Sequence, residues 1–273
     1  MFKERVEQIV DNEKISILRK FQLVGVEMLD EVHKICEENN IQYWIDAGTL
    51  LGAIRHDGFI PWDDDIDICV PRKDYEKLKE LFEQGLLPEG IVYEDKYTNT
   101  WYQDEMNLKP SFMKLYYLDH FKGYDHHEDA NWKGVFIDIF PVDEVTEEMC
   151  KSKKNILIRI LSRRVMKKQK GIINNIKMIL GKLNLEKLWI KQCEKVIGTE
   201  EAKYIIYGVE TPFMEYKYLQ NKCDIYPTKE VIFEGRTLLA PNNPHNYLIK
   251  QYGDYMVIPK EEDRHTHLSD LKI

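Results

Sequence analysis

A chain of 273 residues with 43% hydrophobic and 32% charged side chains has the composition of a globular protein, long enough for one large domain or two small ones around a real core. Its formal net charge of −8 argues against general nucleic-acid binding. The five cysteines, Cys36, Cys69, Cys150, Cys193 and Cys223, form no C-x-x-C pair, so neither a zinc site nor a disulfide framework is expected, and the compartment is expected to be reducing. The N-terminal "MFKERVEQIVDNEK" lacks the apolar run of a signal peptide, and no uncharged run approaches the roughly 18 residues of a spanning helix. A cytoplasmic protein is expected.

Along the chain, Leu18, Phe21, Val24, Met28, Val32 and Ile35 recur at three- and four-residue steps and predict a helix from about Ile15 to Glu38. "IQYWIDA" is short, β-branched and aromatic and predicts a strand. "GTLLGAIRH" predicts a tight turn feeding a short helix, and "DGFIP" a loop. "DIDICV" predicts a second strand, and "PRKDYEKLKELFEQG" a helix between Pro71 and Gly85. "GIVYED", "FMKLYYLD" and "GVFIDIFPVD" predict further strands, so the first half alternates strands and helices as an α/β or α+β fold does. The stretch from Lys151 to Lys195 differs: it carries eleven lysines and three arginines against Glu186 and Glu194, and Ile156, Leu157, Ile160, Leu161 and Val165 give it a helical apolar stripe.

The chemistry concentrates in the carboxylates. Asp65 and Asp67 alternate onto one face of their predicted strand, where two acids aimed at one point repel and call for a cation. Hard oxygen ligands of this kind suit Mg²⁺ or Mn²⁺, which can hold a phosphate for displacement at phosphorus. Asp63 and Asp64 precede the strand and have less reason to converge on that point. Gly48 and Thr49, between a strand and a helix, would let backbone N–H groups approach a phosphate. Asp138 lies between Ile137 and Ile139 in a run too apolar for an unpartnered charge, so it is expected either to join the same metal or to cap a nearby turn.

Together "YWIDAGTLLGAIRHDGFIPWDDDIDICV", the later "IDIFP" and the closing "YLIKQYGDYMVIP" followed by "RHTH" resemble the LicD family of the nucleotidyltransferase-fold superfamily. The superfamily pattern is a G-[GS] turn, a D-h-D strand and a third acid on a later strand. Gly48-Thr49, Asp65-Ile66-Asp67 and Asp138 match it, with Thr in the Ser position. The match runs from about Leu18 to His267, and the basic helical stretch falls outside it. The resemblance implies a nucleotidyltransferase-like mixed sheet flanked by helices. The chain is read as a catalytic core with the N-terminal helix over residues 1–150, a basic helical insertion over 151–200, and a part over 201–273 that completes the site. It implies transfer of a phospho-alcohol, best known as phosphocholine from CDP-choline, onto sugar hydroxyls of cell-surface glycans such as teichoic acid or lipopolysaccharide. Relatives in the fukutin group use CDP-ribitol. Asp65, Asp67 and Asp138 would hold one or two Mg²⁺ ions, and Asp138 would take the proton of the sugar hydroxyl.

Other residues carry two readings each. Arg55 and His56 would reach the donor or brace the loop carrying Trp62, or else answer the helix dipole. Lys114 would pair with a phosphate or with a neighbouring acid. Arg264 and His267, with His265, would serve phosphate or acceptor if the tail folds back. Trp101, Tyr102, Tyr116, Tyr117, Tyr124 and Trp132 are available to a choline ammonium, or to the core. The basic stretch would lie on an anionic membrane, at whose inner face a lipid-linked acceptor would be presented, or form a solvated hairpin. Two functions from other classes compete: nucleotidyl transfer to a small molecule, and an inactive glycan-binding protein of the same fold.

Overall fold

The computed structural model describes residues 2–95, 112–117, 134–165, 185–211, 218–264 and 266. Seven strands form one mixed sheet: β1 (Trp44–Ile45), β2 (Ile66–Pro71), β3 (Ile91–Glu94), β4 (Met113–Tyr117), β5 (Val135–Val145), β6 (Tyr204–Tyr207) and β7 (Gln220–Asn221). The order is β1-β2-β5-β4-β3, with β6 and then β7 continuing from β5. β2 and β5 run parallel, and the other neighbours are antiparallel. A separate hairpin joins β8 (Lys229–Phe233) to β9 (Arg236–Ala240). The described helices are α1 (Phe2–Val10), α2 (Ile17–Glu38), α3 (Ala47–His56), α4 (Arg72–Glu83), α5 (Glu147–Lys151), α6 (Lys153–Val165), α7 (Leu185–Glu194), α8 (Lys222–Ile225) and α9 (Pro244–Tyr252). The alternation of strands and helices predicts an α/β or α+β fold, and this is the mixed sheet flanked by helices that the family resemblance implies.

The predicted first helix forms as α2, begun by Ser16, whose hydroxyl accepts from the Arg19 amide at 3.2 Å. It buries Val24, Met28, Val32 and Ile35. Gly25 lets it approach the sheet, since a Cβ there would lie 3.1 Å from Ile66 Cδ1 and 3.6 Å from Val135 Cγ1. Ile66, Ile68, Met113, Leu115, Ile137 and Ile139 make the buried apolar face of the sheet. Helix α1 has no counterpart among the predicted elements. Its nine residues bury Phe2 and Val6, and Arg5 ties it to Glu27 and, at 2.8 Å, to Glu31 of α2. Two buried side chains are too few for a periodic signal.

β5 changes neighbours along its length. Residues Val135–Ile139 pair with β4 and residues Val142–Val145 with β6, while β2 lies along the opposite edge. Pro141, with no N–H to donate, falls at the changeover, and its carbonyl accepts from the Gly208 amide at 2.7 Å. Because β6 and β7 come from residues 204–221, the sheet draws on chain beyond the basic helices as well as before them.

The basic stretch contributes α6 and α7, which pack together. Ile158, Trp189 and Cys193 form a second apolar cluster with Val145, Cys150, Ile206 and Val209. A buried ionic network fastens it to the sheet. Arg72, at the start of α4, donates to Asp143 at 2.8 and 3.2 Å and to Glu210 at 2.5 and 2.9 Å. The Trp189 indole donates to Asp143 at 2.7 Å.

α3 is seated by a close backbone contact. A Cβ on Gly52 would lie 2.3 Å from the Gly58 carbonyl oxygen and 3.0 Å from the Ile60 nitrogen. Backbone cannot yield as a side chain can. Gly52→Ala is therefore expected to cost about 1–3 kcal/mol in urea unfolding. Gly25→Ala, which meets the flexible end of Ile66, is expected to shift the midpoint far less. Equal shifts for the two variants would refute this account.

Candidate active site

The site grows from the turn between β1 and α3. Asp46 ends the strand, Ala47 takes a positive φ of 43°, and α3 starts there, so Gly48 and Thr49 lie inside the first helical turn. The turn expected at Gly48-Thr49 is thus displaced back to Asp46-Ala47. The Asp46 side chain does not cap the helix. It is fully buried and accepts from the Tyr207 hydroxyl, from Gln251 Nε2 at 3.2 Å and from Cys69 Sγ at 3.0 Å. Its amide donates to the Asp67 carbonyl at 2.9 Å, and Thr49 Oγ1 accepts from the Asp67 amide at 2.9 Å. Turn and strand are therefore stitched together at Asp67. Gly48 leaves room for a carboxylate: a Cβ there would lie 2.6 Å from Asp63 Oδ2, which would have to shift. Asp63 folds back against the start of α3, where the helix dipole favours a negative charge. The acid expected to stand apart is thus part of the cluster.

Register then lays a charged row across three strands. Asp67 of β2 pairs with Asp138 of β5, and Asp138 pairs with Lys114 of β4. The Lys114 ammonium lies 2.6 Å from Asp138 Oδ1 and 4.2 Å from the Phe136 ring centre. Glu94 of β3, buried, lies next to Lys114 in the same row. Asp65, just before β2, is half-buried. Burial, followed by the charges of Asp65, Asp138, Asp46 and Asp63, pushes the Asp67 carboxyl well above the ordinary carboxylate range. This is a frustrated cluster of hard oxygen donors, of the kind that a divalent cation would relieve. Among the described residues no three His, Cys, Asp or Glu side chains already stand as a finished ligand set.

Residues 40–159 match the family model described as LicD/FKTN/FKRP, nucleotidyltransferase domain. The lipopolysaccharide cholinephosphotransferase LicD of Haemophilus influenzae is 33% identical over 280 residues, spanning 92% of this chain and 95% of that protein. The chain belongs to the LicD family. An uncharacterized Rickettsia prowazekii protein is 42% identical over 126 residues, 39% of this chain and 47% of its own. The human ribitol 5-phosphate transferase FKRP is 38% identical over 47 residues, 17% of this chain and 10% of that protein.

In this LicD-family chain the remaining predicted residues divide by position. Arg55 and His56 sit at the far end of α3, seven residues or about 10 Å of helix from Gly48. Arg55 Nη1 donates to the Tyr255 carbonyl at 2.5 Å and its Nε to His56 Nε2 at 2.9 Å. Burial, and then the Arg55 charge, lowers the His56 pKa. The pair braces the segment after α9. Arg264 stacks on Trp62, its guanidinium carbon 4.3 Å from the ring, and donates to the Pro259 carbonyl at 3.2 Å. The chain after α9 therefore does return to the loop just ahead of Asp63. Of the candidate aromatics, Tyr117 packs edge-on against Phe2 of α1, on the face away from the charged row. Tyr116 shares the face of Lys114. His265, His267, Trp101, Tyr102, Tyr124 and Trp132 lie outside the described residues.

Sequence patterning gave no sign of Asp46, Tyr207, Gln251 or Tyr252 as neighbours of the row. Tyr252 of α9 is 48% exposed, and burial, then the charges of Asp46, Asp67 and Asp63, push its pKa well up. The "YLIKQYGDY" stretch held both Gln251 and Tyr252, but only the packing of α9 on α3 shows what they face.

Proposed function

We propose that this phosphotransferase moves a phospho-alcohol, phosphocholine above all, from a CDP-linked donor onto a sugar hydroxyl of a cell-surface glycan or its lipid-linked precursor. The observation that carries the proposal is the row Asp67–Asp138–Lys114 beside the N-terminus of α3. Its support from relatives is the near full-length match to a lipopolysaccharide cholinephosphotransferase. Mg²⁺ or Mn²⁺ held by Asp65, Asp67 and Asp138 would offset charge on the donor diphosphate. Gly48 and Thr49 would line the donor phosphates, with the helix dipole behind them. Lys114, which now balances Asp138, would turn to a phosphate oxygen when the cation balances that carboxylate instead. Asp138, at the centre of the row, would take the proton of the acceptor hydroxyl. Tyr252 and the stacked Arg264–Trp62 pair would wall the acceptor side.

A panel of CDP-alcohols, each with Mg²⁺ or Mn²⁺ and a glycan acceptor, tests this by CMP release. CDP-choline is expected to give CMP with phosphocholine on the glycan. CMP release with CDP-ribitol alone would favour the second reading, ribitol phosphate, which the FKRP match supports. Pyrophosphate release from a nucleoside triphosphate, with no CMP from any CDP-alcohol, would replace both with nucleotidyl transfer.

A further inference from the structure

The two helices that follow β5 each bury one stripe. On α6 it is Asn155, Ile158 and Arg159, and on α7 Trp189 and Cys193. Their outward stripes are Lys153, Lys154, Leu157 and Ile160 on α6, and Lys187, Leu188, Lys191 and Glu194 on α7. Leu157 is 55% exposed, Leu188 48% and Ile160 38%. Single exposed apolar side chains are ordinary on a protein surface. Here each leucine has lysines within one helical turn: Lys153 and Lys154 precede Leu157, and Lys187 and Lys191 flank Leu188. α6 contains no acid, and the sequence between the helices, residues 166–184, adds five lysines and none.

At the base of the pair a cleft is lined by Glu147, Glu148, Glu200 and Glu201 and by Lys154, Lys195 and Lys203. Away from that cleft, Lys153, Lys187 and Lys191 lie on the outward stripes alongside the exposed leucines. Leucine and isoleucine exposed among lysines suit a surface that is negative at its face and apolar just beneath. No helix among the described residues is long and apolar enough to cross a membrane, so contact would be peripheral.

We propose that the outward face of α6 and α7 docks on an anionic lipid bilayer, with Leu157, Ile160 and Leu188 entering the interface and Lys153, Lys187 and Lys191 meeting the headgroups. This goes beyond the transfer reaction and does not depend on which alcohol is moved. The docking face belongs to helices fastened to β5 through Asp143, so it holds the charged row at a fixed height above the membrane, where a lipid-linked acceptor is presented.

The test is sedimentation of the full chain, without donor, with sucrose-loaded vesicles of phosphatidylcholine alone or mixed equally with phosphatidylglycerol. The protein is expected to pellet with the mixed vesicles at low salt and to stay in the supernatant with phosphatidylcholine. The double variants Leu157→Asp/Leu188→Asp and Lys187→Glu/Lys191→Glu are each expected to lower the bound fraction at least fivefold. Both should keep the wild-type melting temperature and the wild-type rate on a soluble acceptor. Equal pelleting with the two vesicle types, or variants that bind like wild type, would overturn the proposal. So would a wild-type dimer that Leu157→Asp/Leu188→Asp turns into a monomer, since the face would then join two copies of the chain. Vesicle binding is read without catalysis, so its failure and the failure of the transfer assay are separate results.

Discussion

Asp67→Asn is expected to lower transfer by on the order of 10²–10³-fold while raising the melting temperature in EDTA at pH 7. The two effects share one cause. In the folded chain burial and then the surrounding carboxylates raise the Asp67 pKa, whereas the unfolded chain titrates near 3.9. Between those values the native state holds a proton that the unfolded state has released. Stability is therefore lost as pH rises from about 4 through the folded pKa. Asparagine removes that loss, so the advantage of the variant should be absent near pH 3 and grow toward neutrality. Mg²⁺ or Mn²⁺ should then raise the melting temperature of the wild type more than that of the variant. A variant that transfers at the wild-type rate, or melts below wild type in EDTA at pH 7, would defeat the assignment of Asp67 to the reacting centre.

Arg72→Met should be the most destabilising single change away from the row. It leaves Asp143 and Glu210 buried without their cation. Removing one partner of such a network costs about 3–5 kcal/mol. Arg72→Lys should recover part of this, because a single ammonium cannot span both carboxylates as the guanidinium fork does. Arg236, whose side chain is 40% exposed in its pair with Asp30, is the comparison: Arg236→Met should cost under about 1 kcal/mol. Urea midpoints for the three variants decide it, and an unchanged midpoint for Arg72→Met would show that the network carries no net stability.

The sequence makes the parts of this site visible and their assembly invisible. Alternation alone puts Asp65 and Asp67 on one face of a strand, and the apolar setting of Asp138 marks it as needing a partner. Lys114 is legible as a face residue of its strand for the same reason. What alternation cannot show is that β5 lies between β2 and β4, which brings the three side chains into line. Strand order is a long-range property, set by packing rather than by local pattern. The place of Asp63 is not legible in the pattern, because it depends on how the loop after α3 returns to Gly48. The burial of Asp46 depends on Tyr207 and Gln251, more than 160 and 200 residues away. The setting of Arg72 is hidden as well, since its two acids come from β5 and from the chain after β6.

β5 carries Asp138 to the charged row and, five residues or about 17 Å later, Asp143 to the ionic network under the basic helices. A single strand thus joins the candidate site to an anchor, with Pro141 between the two. The helical excursion is for that reason not a module that can be exchanged. A chimera that grafts residues 151–200 from a relative, or a truncation that splices them out, would strip Trp189 from Asp143 and perturb the strand that holds Asp138. Among members of this family, substitutions in the excursion should therefore be tolerated in concert with those at Arg72, Asp143 and Glu210, as inherited sets.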